Sequence, residues 1–148
     1  MFLLATPVEG RQIKPALGFH FAGDVEVFAM PAIYDGAGAG TNRDLNGIVF
    51  IDAPWLLTTD PLKQPLAEAF AAGPGPVERL RAMGVDSYRL HTRLAQLDNF
   101  PGISIQGATG VLTMRDDGSI KRELVAARFD ETSIVLLTPA NTADTTPP

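Results

Sequence analysis

The stretch FLLATPVEGRQIKPALGFHFAGDVEVFAM, residues 2–30, decides the fold class. Phe2 to Ala5 is a short apolar run without polar alternation, the pattern of a strand buried on both faces. Thr6, Pro7 and Glu9 then mark a helix start. Thr6 can accept from a free N–H, Pro7 stands where its missing N–H is not needed, and Glu9 lies three residues after the cap. The helix carries Ile13 and Leu17 on one face; Pro15 is expected to bend or shorten it, and it must end before Gly23-Asp24. Val25 to Met30 is a second apolar strand. Strand, helix and strand make a βαβ unit, so the chain reads as α/β with a parallel sheet covered by helices. Such crossovers are nearly always right-handed.

Downstream, DGAGAGTNRDLN at 35–46 is rich in Gly, Asn and Asp and is expected to be a loop. Gly47 to Ile51 resumes a buried strand. Asp60 and Pro61 are a cap and first helical residue, with Leu62, Leu66 and Phe70 at four-residue spacing as a packing face. Val77 to Met83 reads as a short helix ended by Gly84 in a left-handed cap, and Asp86 as the cap of a further helix. That helix, Tyr88 to Leu97, buries Leu90, Leu94 and Leu97. From Ile103 the apolar period becomes two. Ile103 to Ile105, Val111 to Met114, the turn Asp116-Asp117-Gly118, Ile120 to Phe129 and Ser133 to Leu137 make the last third antiparallel hairpin. Residues 139–148, small, polar and rich in Pro and Thr, are expected to be a disordered tail.

The whole composition narrows function by exclusion. The chain has 148 residues, 45% apolar and 20% charged, enough for one buried core. Its net charge of −5 and its lack of a basic stripe argue against nucleic acid. With no cysteine, disulfides, thiolate catalysis and cysteine-bound metals are excluded. MFLLATPVEG is too short an apolar run for a membrane span and lacks signal-peptide features.

Chemistry-bearing patterns are sparse. The Gly36–Gly40 cluster lacks both the P-loop ending and the dinucleotide spacing, so no cofactor motif is present. His20 and His91 stand alone, with no triad or zinc pattern around them. Asp116-Asp117-Gly118 lacks the further ligands of a calcium loop. A hydrolase using Asp35, Asp52 or His91 would need those groups within hydrogen-bond reach of one another, and they are expected to be scattered. Trp55 reads as core, and Tyr34 stands near a loop end, where binding residues gather.

Four stretches together resemble a known family: FLLATPVEGRQIKPAL with PAIYDG, RDLNGIVFIDAPWLL at 43–57, LRAMGVDSYRLHTRLAQL at 80–97, and GISIQGATGVLTMRDDGSIKREL at 102–124. They are similar to the C-terminal domain of the LppC lipoprotein family, and the similarity covers nearly all of residues 1–138. The resemblance implies a partial type I periplasmic-binding-protein-like fold, with parallel βαβ units from two lobes and a C-terminal antiparallel hairpin. Met1 to Ile51 would close one lobe, Asp60 to Leu97 would belong to the other, and the hairpin would cross back. It also implies regions absent from this sequence: a helical-repeat region, the earlier half of both lobes and a lipid-bearing cysteine, so the chain is expected to be a portion of a longer fold.

In function the resemblance implies a non-catalytic, outer-membrane lipoprotein of the periplasm that binds and activates a bifunctional class A penicillin-binding protein, with the membrane reached only through the lipid anchor. Asp35, Arg43 and Asp44, on the 35–46 loop, are the candidate partner-binding residues. The alternative is a small-molecule, amino-acid-like binder or sensor using Thr6, Tyr34 and Asp35 at strand ends. Neither reading calls for a metal or cofactor.

Overall fold

Thr6 closes the expected capping box: its backbone N–H donates to Glu9 Oε2 at 2.8 Å, and its hydroxyl oxygen accepts from Glu9 N at 3.4 Å. A computed structural model carries this detail and describes residues 1–71, 73–100, 102–131 and 133–137. Its elements in chain order are β1 (Phe2–Leu3), α1 (Pro7–Phe19), β2 (Phe28–Ala29), β3 (Val49–Asp52), α2 (Pro54–Leu57), α3 (Lys63–Phe70), α4 (Gly75–His91), α5 (Leu94–Asn99), β4 (Ser104–Gln106), β5 (Val111–Met114), β6 (Ile120–Glu123), β7 (Val125–Asp130) and β8 (Ser133–Leu137). Residues 139–148, expected to be a tail, lie outside the described residues. The chain forms two compact units, one of residues 1–51 with 125 onward, the other of residues 52–124.

The first unit is built on a five-stranded sheet of order β1-β2-β3-β7-β8. β1, β2 and β3 run parallel, with Phe2 opposite Phe28 and Phe28 opposite Val49, as the βαβ pattern requires. β7 and β8 are an antiparallel hairpin on the same sheet, pairing Arg128 with Val135. Its core is aromatic: Phe50 and Phe129 stack at 4.6 Å between ring centroids, and Tyr34 lies 5.7 Å from the first and 6.0 Å from the second. Rings buried this completely each contribute about 2–3 kcal/mol by removal from water.

α1 crosses between β1 and β2 and continues through Pro15 to Phe19, beyond the break that proline suggests. Its Gly10 is a close-approach residue. A Cβ there would stand 2.4 Å from Ile33 Cδ1 and 2.9 Å from Leu45 Cδ2, so any larger residue would have to displace these two fully buried side chains for α1 to pack as closely.

The second unit sets its helices against a three-stranded antiparallel sheet of order β4-β5-β6. Trp55, Ala53, Ala82, Val85 and Ala108 form its buried cluster, with Leu56 and Leu66 packed on it. Several sequence expectations change here. The helix after Asp60 starts at Lys63, not at Pro61. The expected helix from Tyr88 to Leu97 is divided at Thr92–Arg93 between α4 and α5, and of its three leucines Leu97 is buried whereas Leu94 is 43% exposed. The helix of residues 75–91 is continuous through Gly84, and Asp86 is not a cap but a buried residue in its interior. Ile120 to Phe129 is not one strand; it breaks at Leu124, and the two halves join different sheets.

Candidate partner-binding site

The 35–46 segment, read as an open loop, is wound into 3-10 turns at Ala39–Thr41 and Arg43–Leu45. Its order comes from within. Asp35 Oδ1 accepts from Ala37 N at 2.9 Å, a local turn that asparagine and aspartate favour. Asn42 is buried and its Nδ2 donates to the Ala37 carbonyl at 3.1 Å and the Gly38 carbonyl at 3.5 Å. Thr41 donates its hydroxyl to Gly38 O at 2.7 Å. Leu45, fully buried, plugs the far end into the core. The outcome is a braced loop whose exposed side chains include Arg43 and Asp44, adjacent and of opposite charge.

The residues expected to line a ligand cleft have other work. Tyr34 is only 8% exposed and its ring belongs to the Phe50–Phe129 core. Thr6 uses its hydroxyl in the helix cap, donating to Glu9 Oε2 at 2.8 Å. Asp35 is half-buried and bound to its own loop. The backbone N–H and then the hydroxyl of Thr6 hold the Glu9 carboxyl below its ordinary value of 4.5.

The second unit gives Asp52, Asp86 and Trp55 partners that the sequence did not reveal. Asp52, 1% exposed, takes a bidentate contact from Arg79, Nε to Oδ1 at 2.8 Å and Nη2 to Oδ2 at 2.5 Å, and a third bond from Ala53 N at 2.7 Å. Asp86 receives Ala108 N at 2.6 Å, Thr109 N at 2.7 Å and the Thr109 hydroxyl at 2.6 Å. Trp55 donates its indole N–H to Glu78 at 2.9 Å, and Gly73 N and Arg81 also reach that carboxylate. Burial pushes the Glu78 carboxyl up, but these donors and the Arg81 charge outweigh it and hold it low. These acids are consumed by structure. His20 and His91 are exposed, and among the described residues no group of three or more His, Asp or Glu could hold a metal.

The same unit carries an open apolar groove of about 630 Å³, lined by Leu62, Leu66, Phe70, Gly84, Val85 and Tyr88 with Arg81 at its side. Tyr88 is 82% and Phe70 69% exposed. The Leu62, Leu66, Phe70 spacing pointed to this wall, although as a packing face and not as a groove. Its second wall was hidden by the expected break at Gly84. No helix among the described residues is long and apolar enough to cross a membrane.

Parallel strands with a helical crossover and an added antiparallel hairpin, with a second unit of helices and antiparallel sheet inserted in the chain, give a mixed α/β fold of the periplasmic-binding-protein-like kind. The family model described as "LppC putative lipoprotein" matches residues 1–132, and the chain belongs to that family. It is 34% identical over 140 residues to the penicillin-binding protein activator LpoA of Edwardsiella ictaluri, a match covering 91% of this chain and 20% of that protein. The chain thus spans about a fifth of the length of the curated relatives it matches. Among solved structures it is similar to the LpoA (YraM) C-domain of Haemophilus influenzae, a regulator of PBP1A, with a TM-score of 0.74 and 23% identity over 93% of this chain and 44% of that one. It also resembles a "putative branched-chain amino acid ABC transporter" structure from Chromobacterium violaceum, at a TM-score of 0.63 and 30% identity over 83% of this chain and 39% of that one.

Proposed function

We propose that this chain is part of a non-catalytic regulator of peptidoglycan synthesis that binds a bifunctional class A penicillin-binding protein and activates it by contact. The observation that carries the reading is the 34% identity, over 91% of the chain, to a relative named as a penicillin-binding protein activator. The chemistry of the molecule agrees with it. The buried carboxylates Asp52 and Asp86 each accept three hydrogen bonds, from Arg79 and Ala53 and from Ala108 and Thr109, which accounts for their burial by structure. The exposed Arg43–Asp44 pair, on the same braced loop as Asp35, offers a charged contact of the kind that steers protein association. The site of action is the periplasmic face of the outer membrane, reached through the lipid anchor that the family description implies.

The test is pull-down of a class A penicillin-binding protein by the immobilised chain, beside a version extended to the full length of its relatives. Binding by the extended version supports the reading; binding by neither overturns it. The second reading, an amino-acid-like ligand, is favoured by the likeness to the Chromobacterium violaceum protein. Calorimetric titration with leucine, isoleucine and valine tests it. The burial of Tyr34 and the capping duty of Thr6 weigh against a ligand held by those two side chains.

A further inference from the structure

A cavity and an open strand edge meet in the second unit. Met83, Ser87 and Leu90, on one face of α4, form one wall of an open cavity of about 290 Å³, and Leu112, Ile120 and Arg122 of β5 and β6 form the other. A Cβ added at Gly107 would meet both Asp86 Oδ2, at 2.7 Å, and Leu112 Cδ1, at 2.8 Å, so the Leu112 side chain stands against α4. Arg122 lies directly opposite Leu112 in the ladder and Ile120 is two residues away. All three therefore share the face that looks at the helix.

β6 also ends the strand order β4-β5-β6, and among the described residues nothing pairs with its outer edge. Arg115 N donates to Ser119 O at 2.8 Å, so Thr113–Lys121 and Val111–Glu123 are the hydrogen-bonded pairs of this hairpin. The backbone N–H and C=O groups of Ile120 and Arg122 point away from β5. The residues that line the cavity with their side chains thus also present the open ladder positions. A cation stands free at the same place. Lys121 and Glu123 pair with each other on the opposite face, and Asp86, at the back of the cavity, is held by Ala108 and Thr109. Arg122 is exposed, and no carboxylate among the described residues is in ion-pair contact with it.

We infer that the edge of β6 beside α4 is a binding site for an extended segment of a partner protein, which adds to the sheet as an antiparallel strand. Residues opposite each other in such a ladder share a face. The segment's side chain opposite Arg122 is therefore acidic, and the one opposite Ile120, two positions later in the segment, is aliphatic and enters the cavity beside Met83 and Leu90. The motif is acidic residue, any residue, aliphatic residue. The inference does not rest on the activator reading, because it follows from the ladder, the cavity and the free arginine alone.

The probe is a fluorescein-labelled, end-blocked peptide Thr-Glu-Thr-Leu-Thr, titrated with the full chain and read by fluorescence anisotropy and by amide chemical shifts. The expected result is saturable binding, with the shifts concentrated in Ile120–Glu123 and the facing turns of α4. Arg122→Glu, which keeps the circular dichroism and Trp55 emission of the unmodified chain, weakens this peptide roughly tenfold or more and strengthens one with Lys in place of Glu. Methylating the backbone nitrogens of the peptide's Glu and Leu keeps every side chain and removes the ladder donors, and weakens binding by a similar factor. Absence of saturable binding, binding insensitive to Arg122→Glu or to backbone methylation, or shifts confined to another surface such as the Tyr88 groove would each overturn the inference.

Discussion

A carboxylate facing three donors at 2.6–2.7 Å inside a protein is costly to remove, and Asp86 occupies that position. Asp86→Ala would leave the Ala108 and Thr109 N–H groups buried without an acceptor. Each such loss costs about 1–3 kcal/mol, so we expect unfolding of the second unit to ease by about 3–5 kcal/mol. Urea titration followed by Trp55, the only tryptophan, reads this directly, since Trp55 N donates to Ala108 O at 2.9 Å. Asp86→Asn retains one acceptor oxygen and should lose less. Gly110 stands nearby with φ of +145°, and an added Cβ would meet Glu123 O at 2.1 Å, so Gly110→Ala should displace β6 and destabilise at least as much. The Gly107–Gly110 segment lies in a stretch that carries the family resemblance, but its physical reason was not legible there. Asp86, two residues after Gly84, looks like a helix cap by local preference, whereas its bonds to Ala108 and Thr109 belong to a position inside the helix.

At the scale of elements, local chemistry was the legible part. Thr6, Pro7 and Glu9 form the capping box their spacing predicts, because its partners lie three residues apart. Thr6→Ala should cost about 1 kcal/mol of stability in chemical denaturation. The Glu9 carboxyl is depressed when folded, so its contribution is present above its ordinary value of 4.5 and fades as the pH falls through the lowered value. Amide exchange in the first turn of α1 should therefore speed up in that acid range, and Glu9→Gln should abolish the acid dependence. Pairings distant in sequence were not legible. Asp52 and Arg79 are separated by 27 positions, and nothing in either neighbourhood announces the pair. Arg79→Met should cost about 3–5 kcal/mol because it leaves Asp52 buried and uncompensated; adding Asp52→Leu should recover much of the loss. The Leu124 break escaped notice for a similar reason. Residues 120–129 alternate well enough for one strand, and the partition between two sheets depends on strands far away.

For the whole molecule, the α/β class and the parallel-then-antiparallel order followed from the change of apolar period, whereas the exposure of Phe2 and Leu4 did not, since an apolar run looks alike whether it is covered or not. The loop-borne candidate residues carry their own prediction. Charge reversal of Arg43 and Asp44 together should slow association with a class A penicillin-binding protein several-fold and flatten its salt dependence, read by surface plasmon resonance, while leaving the melting curve intact because both side chains are exposed. The chain order of the two units has a consequence in time as well as in space. Residues 52–124 are contiguous and can pair among themselves, but β3 reaches its partner β7 only across that whole inserted segment. Contacts so distant in sequence form late, because closing the long loop between them must precede any gain from the pairing. The Phe50–Phe129 stack should therefore form after the second unit: in refolding from urea, recovery of the Trp55 signal should precede amide protection in β3 and β7.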